Sequence, residues 1–382
     1  MSRLVPLMLG LTLACSPDTI IAVSEGAGGS AASPAWRVPL HTEGAEIVDA
    51  DGHPVRLTGI SWFGLETPDH APHGLSARSM TSLLDQVRSL GFNSLRIPFS
   101  TELLDPGSMP GGIDYDRNPE LEGLDGLGVL DALVRAATAR GLAVILDRHR
   151  LESGAQSALW YDATYDEARW IEDFRTLAAL FRNDPLVVGF DLHNDLHDPA
   201  TWGDGNSQTD FRAAAGRAGN AILEVSPNAL IVVEGIETVD GKKYWWGGNL
   251  AAAGRAPVTL STPGHVVYAA SDYPMSVSDQ PWFHDPGYPD NMPALWDATW
   301  GYLHTAGIAP VYVAGFGTRY ATSADQQWLA AISSYLRANR TSFAYWCLNP
   351  DSTDTGGILE DDWTTPRTDL LRQIERAGPD GR

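Results

Sequence analysis

Residues 189–198 read GFDLHNDLHD, so a short apolar segment is followed directly by Asn194 and Asp195. An amide beside a carboxylic acid at the end of a buried strand is typical of a cleft that binds or reacts. Residues 311–318 read VYVAGFGT and follow the same pattern, but they end in Gly315. The second segment therefore predicts a strand of the same kind that delivers a glycine instead of an acid.

Polar or aromatic side chains end other apolar segments as well. They are Arg96, His149, Glu234, Ser271, Asp272, Tyr273, Trp346 and Asn349. Any one of them alone is explained more simply as a satisfied structural group. Their repetition at strand ends favours a real cleft, because chemistry in barrels of alternating strands and helices sits at the C-terminal ends of the strands.

Eight apolar or β-branched segments are predicted to be strands. They are residues 55–63, 92–99, 142–149, 187–194, 230–235, 266–273, 310–317 and 342–349. Helical patterns separate most of them, at residues 79–90, 124–140, 167–183, 209–224, 292–306 and 324–339. This order predicts an α/β fold, a single-domain (β/α)8 TIM barrel. An open doubly wound sheet is the alternative, but no glycine-rich phosphate loop follows the first strand.

The termini of this barrel are also predicted. Residues 39–378 are assigned to the barrel domain, and residues 36–54 are expected to form a short hairpin that closes its floor. The chain has 382 residues and a net charge of −22. Without an excess of Lys and Arg, nucleic acids and anionic membrane surfaces are disfavoured as partners.

Residues 1–15 are predicted to be a signal peptide of the lipoprotein type. A basic start precedes an apolar run that is too short to span a bilayer, and LTLAC at 11–15 resembles a bacterial lipobox. Diacylation of Cys15 would anchor the mature chain, and residues 16–38 would be a flexible linker. We therefore expect export, as a cell-envelope lipoprotein or a secreted protein, with membrane contact only through the lipid. Cys347 is expected to be buried and unpaired.

Metal and cofactor binding have little support in the sequence. His193, Asp195, His197 and Asp198 are close in sequence, but they share a strand face only if the strand extends that far. No metal and no cofactor are expected.

Longer segments of the chain resemble glycoside hydrolase family 5, the cellulase family, and above all the endo-β-1,4-glucanases of actinobacteria. The resemblance spans about His41 to Asp362. Its segments read ISWFGLET, SLRIPFS, VILDRHR, QSALWY, VVGFDLHN, YWWGGNL and NPDSTDTGGIL. It implies a (β/α)8 barrel with a β-glucan cleft across its top, and β-glucans or cello-oligosaccharides as ligands.

Most of the site residues of that family have counterparts here. The resemblance places Arg96, His149, Asn194, Tyr273 and Trp346 around the sugar at the cleavage point. Trp246 is a further candidate for sugar stacking, because exposed tryptophans along a cleft bind sugar faces. About half of the 13 tryptophans are expected to be buried.

Three positions depart from the family pattern. Asp195 replaces the Glu that acts as general acid/base, Gly315 replaces the nucleophilic Glu, and Ser271 replaces a His that helps to hold that nucleophile. Retaining hydrolysis needs two carboxyl groups roughly 5–5.5 Å apart. Without a side chain at Gly315 no covalent intermediate can form there, and room for a small external anion is expected.

These departures leave three hypotheses. The first is a β-glucan-binding pseudoenzyme of the cellulase family. The second is an active endoglucanase or related glycosidase, in which Asp195 acts as acid and another carboxylate activates water by inversion, at a separation of roughly 6.5–9.5 Å. The candidates for that second carboxylate are Asp272, Glu234 and Asp147. The third is a structural protein that no longer binds sugar, which the retained aromatic residues count against.

Overall fold

The structure is a computed structural model that describes residues 36–378. Eight parallel strands form a closed barrel, and each overlaps one of the eight predicted segments. They are β1 (Thr58–Ser61), β2 (Ser94–Ser100), β3 (Ala143–Arg150), β4 (Val187–Asp191), β5 (Leu230–Glu234), β6 (Val266–Ser271), β7 (Val311–Phe316) and β8 (Ser342–Tyr345). Each strand pairs with the next along the chain, and β8 pairs with β1. The predicted (β/α)8 barrel is confirmed.

Helices lie between most of these strands. They are α1 (Met80–Ser89), α2 (Gly126–Thr138), α3 (Glu167–Phe181), α4 (Phe211–Val225), α5 (Met292–Trp296), α6 (Tyr302–Thr305), α7 (Ser323–Ala338) and α8 (Thr368–Ala377). Five of them begin after a residue whose side chain accepts a hydrogen bond from the first turn: Ser79, Asp125, Asp166, Asp210 and Thr322. Such caps satisfy backbone N–H groups that have no partner within the helix, so they fix where each helix starts.

The helical layer departs from the predicted pattern at α5 and α6, and it agrees with that pattern between β5 and β6. The predicted helix at 292–306 is interrupted, because a π-helical turn at Asp297–Gly301 joins α5 to α6. No helix connects β5 to β6; a two-stranded hairpin of Thr238–Val239 and Lys242–Lys243 lies in that connection. The barrel floor is a three-stranded antiparallel sheet of His41–Glu43, Glu46–Val48 and Pro54–Val55, one strand more than the predicted hairpin.

Strand β3 shows how the core positions the site. Ala143 and Ile145 belong to a cluster inside the barrel, whereas Val144 and Leu146 pack in the larger cluster between strands and helices. Side chains alternate along a strand, so the next inward position is Asp147. The barrel interior is therefore apolar near the floor and becomes polar towards the C-terminal ends of the strands.

The predictions for the N-terminus lie outside the described residues. This applies to the signal peptide at 1–15 and to the linker up to residue 35. Within residues 36–378, no helix has both the length and the apolar character needed to cross a membrane.

Candidate functional site

Arg96 lies on β2 at the centre of the polar end of the barrel and is buried. Its guanidinium lies 3.1 Å from Asp147 Oδ2, 2.8 Å from Asp191 Oδ2 and 3.0 Å from Glu234 Oε1. One cation cannot compensate three buried carboxylates. Burial therefore raises the pKa of Asp147 and of Asp191 to about 7, and that of Glu234 well above its usual range. These four residues, called the Arg96 cluster below, form a buried, hydrogen-bonded layer of charged and titratable groups under the cleft.

His149 lies directly above this cluster. Its Nδ1 is 2.6 Å from Asp147 Oδ2, and its Nε2 is 3.4 Å from Asn194 Nδ2. Burial lowers the pKa of His149 to about 3, so the ring is neutral. Because Nδ1 faces the Asp147 carboxyl group and Nε2 faces the Asn194 amide nitrogen, the single ring proton is assigned to Nδ1. Trp346 stacks on this imidazole with centroids 5.1 Å apart, and Arg96 Nη2 donates to Asn194 Oδ1 at 3.1 Å. The structure thus brings together Arg96, His149, Asn194 and Trp346, as the sequence predicted.

Asp195 follows β4 and lines the cleft in an unusual backbone conformation. Its φ of +59° is in the left-handed region, which residues other than glycine rarely adopt. The Asp195 N–H donates to Glu234 Oε2 at 2.8 Å, which anchors the turn. A side chain at Gly247 would overlap the same Glu234 carboxylate, so this close approach requires glycine. Burial raises the pKa of Asp195, which favours the protonated form that a general acid needs.

Gly315 lies on β7 and pairs in register with Ser271 of β6. A Cβ atom added to Gly315 would lie 2.6 Å from Tyr273 Oη and 3.0 Å from Ser271 Oγ. The phenol of Tyr273 therefore occupies the space where a side chain at position 315 would begin. This contact narrows the space directly beside Gly315. The expectation that the glycine leaves room for a small anion stays a prediction.

Adding one methyl group at this position tests the arrangement. We expect Gly315→Ala to lower the free energy of unfolding by about 1–3 kcal/mol, because the new Cβ overlaps Tyr273 Oη. Tyr273→Phe removes that oxygen, so Gly315→Ala should cost much less in the Tyr273→Phe background. Urea unfolding of the four proteins measures the coupling. An equal cost in both backgrounds would show that the phenol does not occupy this space.

The cleft above these residues has a volume of about 530 Å³. Its aromatic lining consists of Tyr244, Trp245, Trp246, Tyr273 and Trp346. Seven of the 13 tryptophans are buried, which agrees with the expected half, and Trp160 and Trp300 are among these core residues. Trp246 is 44% exposed, the most exposed tryptophan of the chain. The cleft thus offers flat apolar faces beside polar hydrogen-bonding groups, a combination suited to sugar rings.

Only some carboxylates of the described chain can reach a ligand in this cleft. Those that line it are Asp195, Glu237 and Asp354. The three proposed as alternative bases, Asp272, Glu234 and Asp147, are instead buried. Asp147 and Glu234 belong to the Arg96 cluster. The prediction that one of these three activates water has no support from their positions.

Asp272 has a different set of partners, which the sequence did not reveal. Its Oδ2 accepts a hydrogen bond from Trp296 Nε1 at 3.0 Å, and its Oδ1 accepts one from Trp328 Nε1 at 2.6 Å. The Tyr244 hydroxyl also donates to Oδ2. Burial raises the pKa of Asp272 to about 6. Asp272 therefore ties the cleft wall at Tyr244 to the helical layer behind it.

The histidines in GFDLHNDLHD do not converge on one point. His193 Nδ1 lies 2.9 Å from Arg148 Nη1 and its Nε2 lies 3.2 Å from Ser157 Oγ. His197 instead packs against Trp246. Both nitrogens of His193 are thus engaged by protein groups.

Comparison with known proteins shows which family the chain belongs to. The profile of the family described as cellulase (glycosyl hydrolase family 5) matches residues 48–352. The chain belongs to this family. An endoglucanase of Paenibacillus polymyxa is 50% identical over 342 residues, covering 87% of this chain and 86% of the relative. The major extracellular endoglucanase of Xanthomonas campestris is 40% identical over 355 residues, covering 90% and 72%. The expected family is confirmed, whereas the narrower likeness to actinobacterial members stays a prediction.

Solved cellulase structures share the same architecture. The catalytic domain of the X. campestris endoglucanase superposes with a TM-score of 0.85 at 38% identity, covering 89% of this chain and 99% of that chain. An endocellulase variant from Pyrococcus horikoshii, solved with cellotetraose, gives a TM-score of 0.84 at 37% identity, covering 91% and 100%. This cellulase-family chain therefore has the whole of the barrel on which those proteins are built.

Proposed function

We propose that the cleft of this cellulase-family protein binds a β-1,4-glucan segment such as a cello-oligosaccharide. The observation that supports this most directly is the group of His149, Asn194 and Trp346 at the base of an aromatic cleft. Aromatic faces stack on the C–H faces of sugar rings, while amide and imidazole groups bind hydroxyls. The P. horikoshii relative was solved with cellotetraose, which supports the same class of ligand here.

We further propose that the bound glucan is not cleaved by the retaining route. That route needs a carboxylate to attack the anomeric carbon and a second carboxyl group to protonate the leaving oxygen. Asp195 can supply the proton, but Gly315 supplies no attacking group. The phenol of Tyr273 beside Gly315 does not replace it, because burial raises the pKa of that hydroxyl well above its usual range and keeps it protonated. This is the basis for a binding function without appreciable turnover.

Hydrolysis by another route is the second candidate, and the names of the relatives favour it. The relatives at 50%, 40% and 30% identity are all named endoglucanases. The raised pKa of Asp195 suits a general acid. A base would have to come from the cleft lining, where Glu237 and Asp354 are the other carboxylates. Such a base would act on water with inversion, at a separation of roughly 6.5–9.5 Å from the acid.

Binding and cleavage can be measured on the same samples. We expect calorimetry to show binding of cellotetraose, cellopentaose and cellohexaose, with affinity rising with length as more stacking faces are covered. We expect product analysis after long incubation to show little or no shorter sugar. Trp346→Ala should weaken binding at least about fivefold, since aromatic stacking on a flat ring face contributes on the order of 1–3 kcal/mol.

Leu180→Ala, an exposed position on the outer helix α3, serves as the matched control and should bind like the natural chain. Rapid cleavage with inversion at the anomeric carbon would favour the second candidate. A natural chain that binds none of the three sugars would refute both glucan-based functions.

Export and lipid attachment at Cys15 are proposed on the sequence pattern of residues 1–15 alone. Metabolic labelling with a fatty acid in a bacterial host tests the anchor, because Cys15→Ser should abolish the label.

A further inference from the structure

His197 and Trp246 form a stacked pair at the edge of the cleft. Their ring centroids are 3.9 Å apart and their planes differ by 13°. Trp246 nevertheless keeps 44% of its surface exposed. One face of the indole is therefore covered by the imidazole, which leaves the opposite face for a ligand.

The imidazole is itself held in place by the segment that carries the acid. His197 Nδ1 lies 2.9 Å from the main-chain oxygen of Asp195, so this nitrogen donates the hydrogen bond. The Gly247 N–H also donates to the Leu196 oxygen at 2.9 Å. The turn after β4 and the Trp246 segment are thus joined by one ring stack and one main-chain hydrogen bond.

We propose that His197 is a positioning residue, which holds Trp246 as a stacking face for a sugar ring and ties that face to the Asp195 turn. This rests on the proposed glucan-binding function. A large side chain on the surface loses rotational freedom when it binds a ligand, and this loss opposes binding. A ring packed behind the indole restricts it before the ligand arrives, so the entropic cost of binding is smaller. A sugar ring stacked on Trp246 would then be held at a fixed position relative to the turn that carries Asp195.

The ring and the hydrogen bond of His197 can be separated by substitution. His197→Phe keeps a flat ring but loses the donor, whereas His197→Asn keeps a donor but loses the ring. We expect His197→Ala and His197→Asn to weaken cellopentaose binding about three- to tenfold, and His197→Phe to stay within about twofold of the natural chain. In a Trp246→Ala background, His197→Ala should have no further effect.

Tryptophan fluorescence without ligand gives an independent readout. We expect His197→Ala to change the emission of the natural chain but not that of Trp246→Ala, because the imidazole contacts that indole. Thermal unfolding of every variant separates loss of positioning from loss of fold.

Each result has a defined meaning. The positioning role would be overturned if His197→Ala left cellopentaose binding unchanged. It would also be overturned if His197→Ala weakened binding by the same factor in the natural chain and in the Trp246→Ala background. Either result would leave the glucan-binding function intact. Near-natural binding by His197→Asn together with weak binding by His197→Phe would also overturn it, since the ring would then be dispensable. Failure of the natural chain to bind cellopentaose would refute the proposed function first, and this inference with it.

Discussion

The triple variant Asp195→Glu, Ser271→His, Gly315→Glu is expected to hydrolyse an aryl β-cellobioside at least about 10³-fold faster than the natural chain. A nucleophile and a general acid act as a unit, so restoring one without the other recovers little. Each single change should therefore remain within about tenfold of the natural chain. Release of the aryl group measures the rate, and the product should keep the anomeric configuration of the substrate.

The crowding beside Gly315 explains why the single change Gly315→Glu should be feeble. The new Cβ would meet Tyr273 Oη at 2.6 Å and Ser271 Oγ at 3.0 Å, and so two neighbours must shift before the carboxylate can point into the cleft. The family that the chain resembles combines His, Tyr and Glu at positions 271, 273 and 315. Ser271→His is thus the change expected to give the new carboxylate an orienting partner.

An isosteric control isolates the charge at position 315. The variant Asp195→Glu, Ser271→His, Gly315→Gln has the same shape without a nucleophile, and it should be as slow as the natural chain. High activity of the natural chain that is insensitive to Asp195→Ala would mean that the chemistry lies elsewhere in the molecule. Equal activity of the Gln and Glu variants would contradict a nucleophilic role for the residue at 315.

The sequence was sufficient for the barrel because its signals are local. Eight apolar runs and six helical patterns recur along the chain. Five of the six helical patterns begin close to a residue that caps the helix, namely Ser79, Asp125, Asp166, Asp210 and Thr322. Strand ends in a parallel barrel all meet on one side, so Arg96, His149 and Asn194 could be placed together without knowing any contact. The connection from β5 to β6 was less predictable, because a hairpin of short strands has no long periodicity.

The exact use of each carboxylate could not be read from the sequence. Asp147, Glu234 and Asp272 stand at strand ends as reactive acids do, yet each points into a buried network. That direction depends on which face of a strand turns inward at its last residues, and register shifts occur at the ends of β2 and β6. Asp191 was overlooked for the opposite reason, since it lies within an apolar run that looked like plain core.

The contact of Tyr273 with the space beside Gly315 was also beyond sequence reasoning. A missing side chain suggests an empty volume, but protein interiors are close-packed and neighbours relax into such volumes. Ser271, Tyr273 and Gly315 therefore form one packed unit. Changes at these three positions are expected to have effects that do not add.

Replacing the central cation with a neutral side chain is expected to cause the largest loss of stability. Arg96→Met should lower the free energy of unfolding by about 3–5 kcal/mol, because it leaves Asp147, Asp191 and Glu234 buried without their partner. Urea unfolding at pH 8 measures this. The control is Arg135→Met, which breaks the exposed pair with Asp131 on α2 and should cost less than about 1 kcal/mol.

The pH dependence of that loss separates charge from packing. The folded-state pKa values of Asp147 and Asp191, about 7, exceed the usual value of 3.8 for an unfolded chain. Folding therefore takes up protons, and the stability that these groups contribute declines as the pH rises from about 4 to about 7. Without Arg96 the folded pKa values rise further, so the decline extends to higher pH. The difference between the natural chain and Arg96→Met should thus be smaller at pH 5 than at pH 8. A difference that is independent of pH would mean that Arg96 stabilises the barrel by filling space, and that its charge is not what the three carboxylates require.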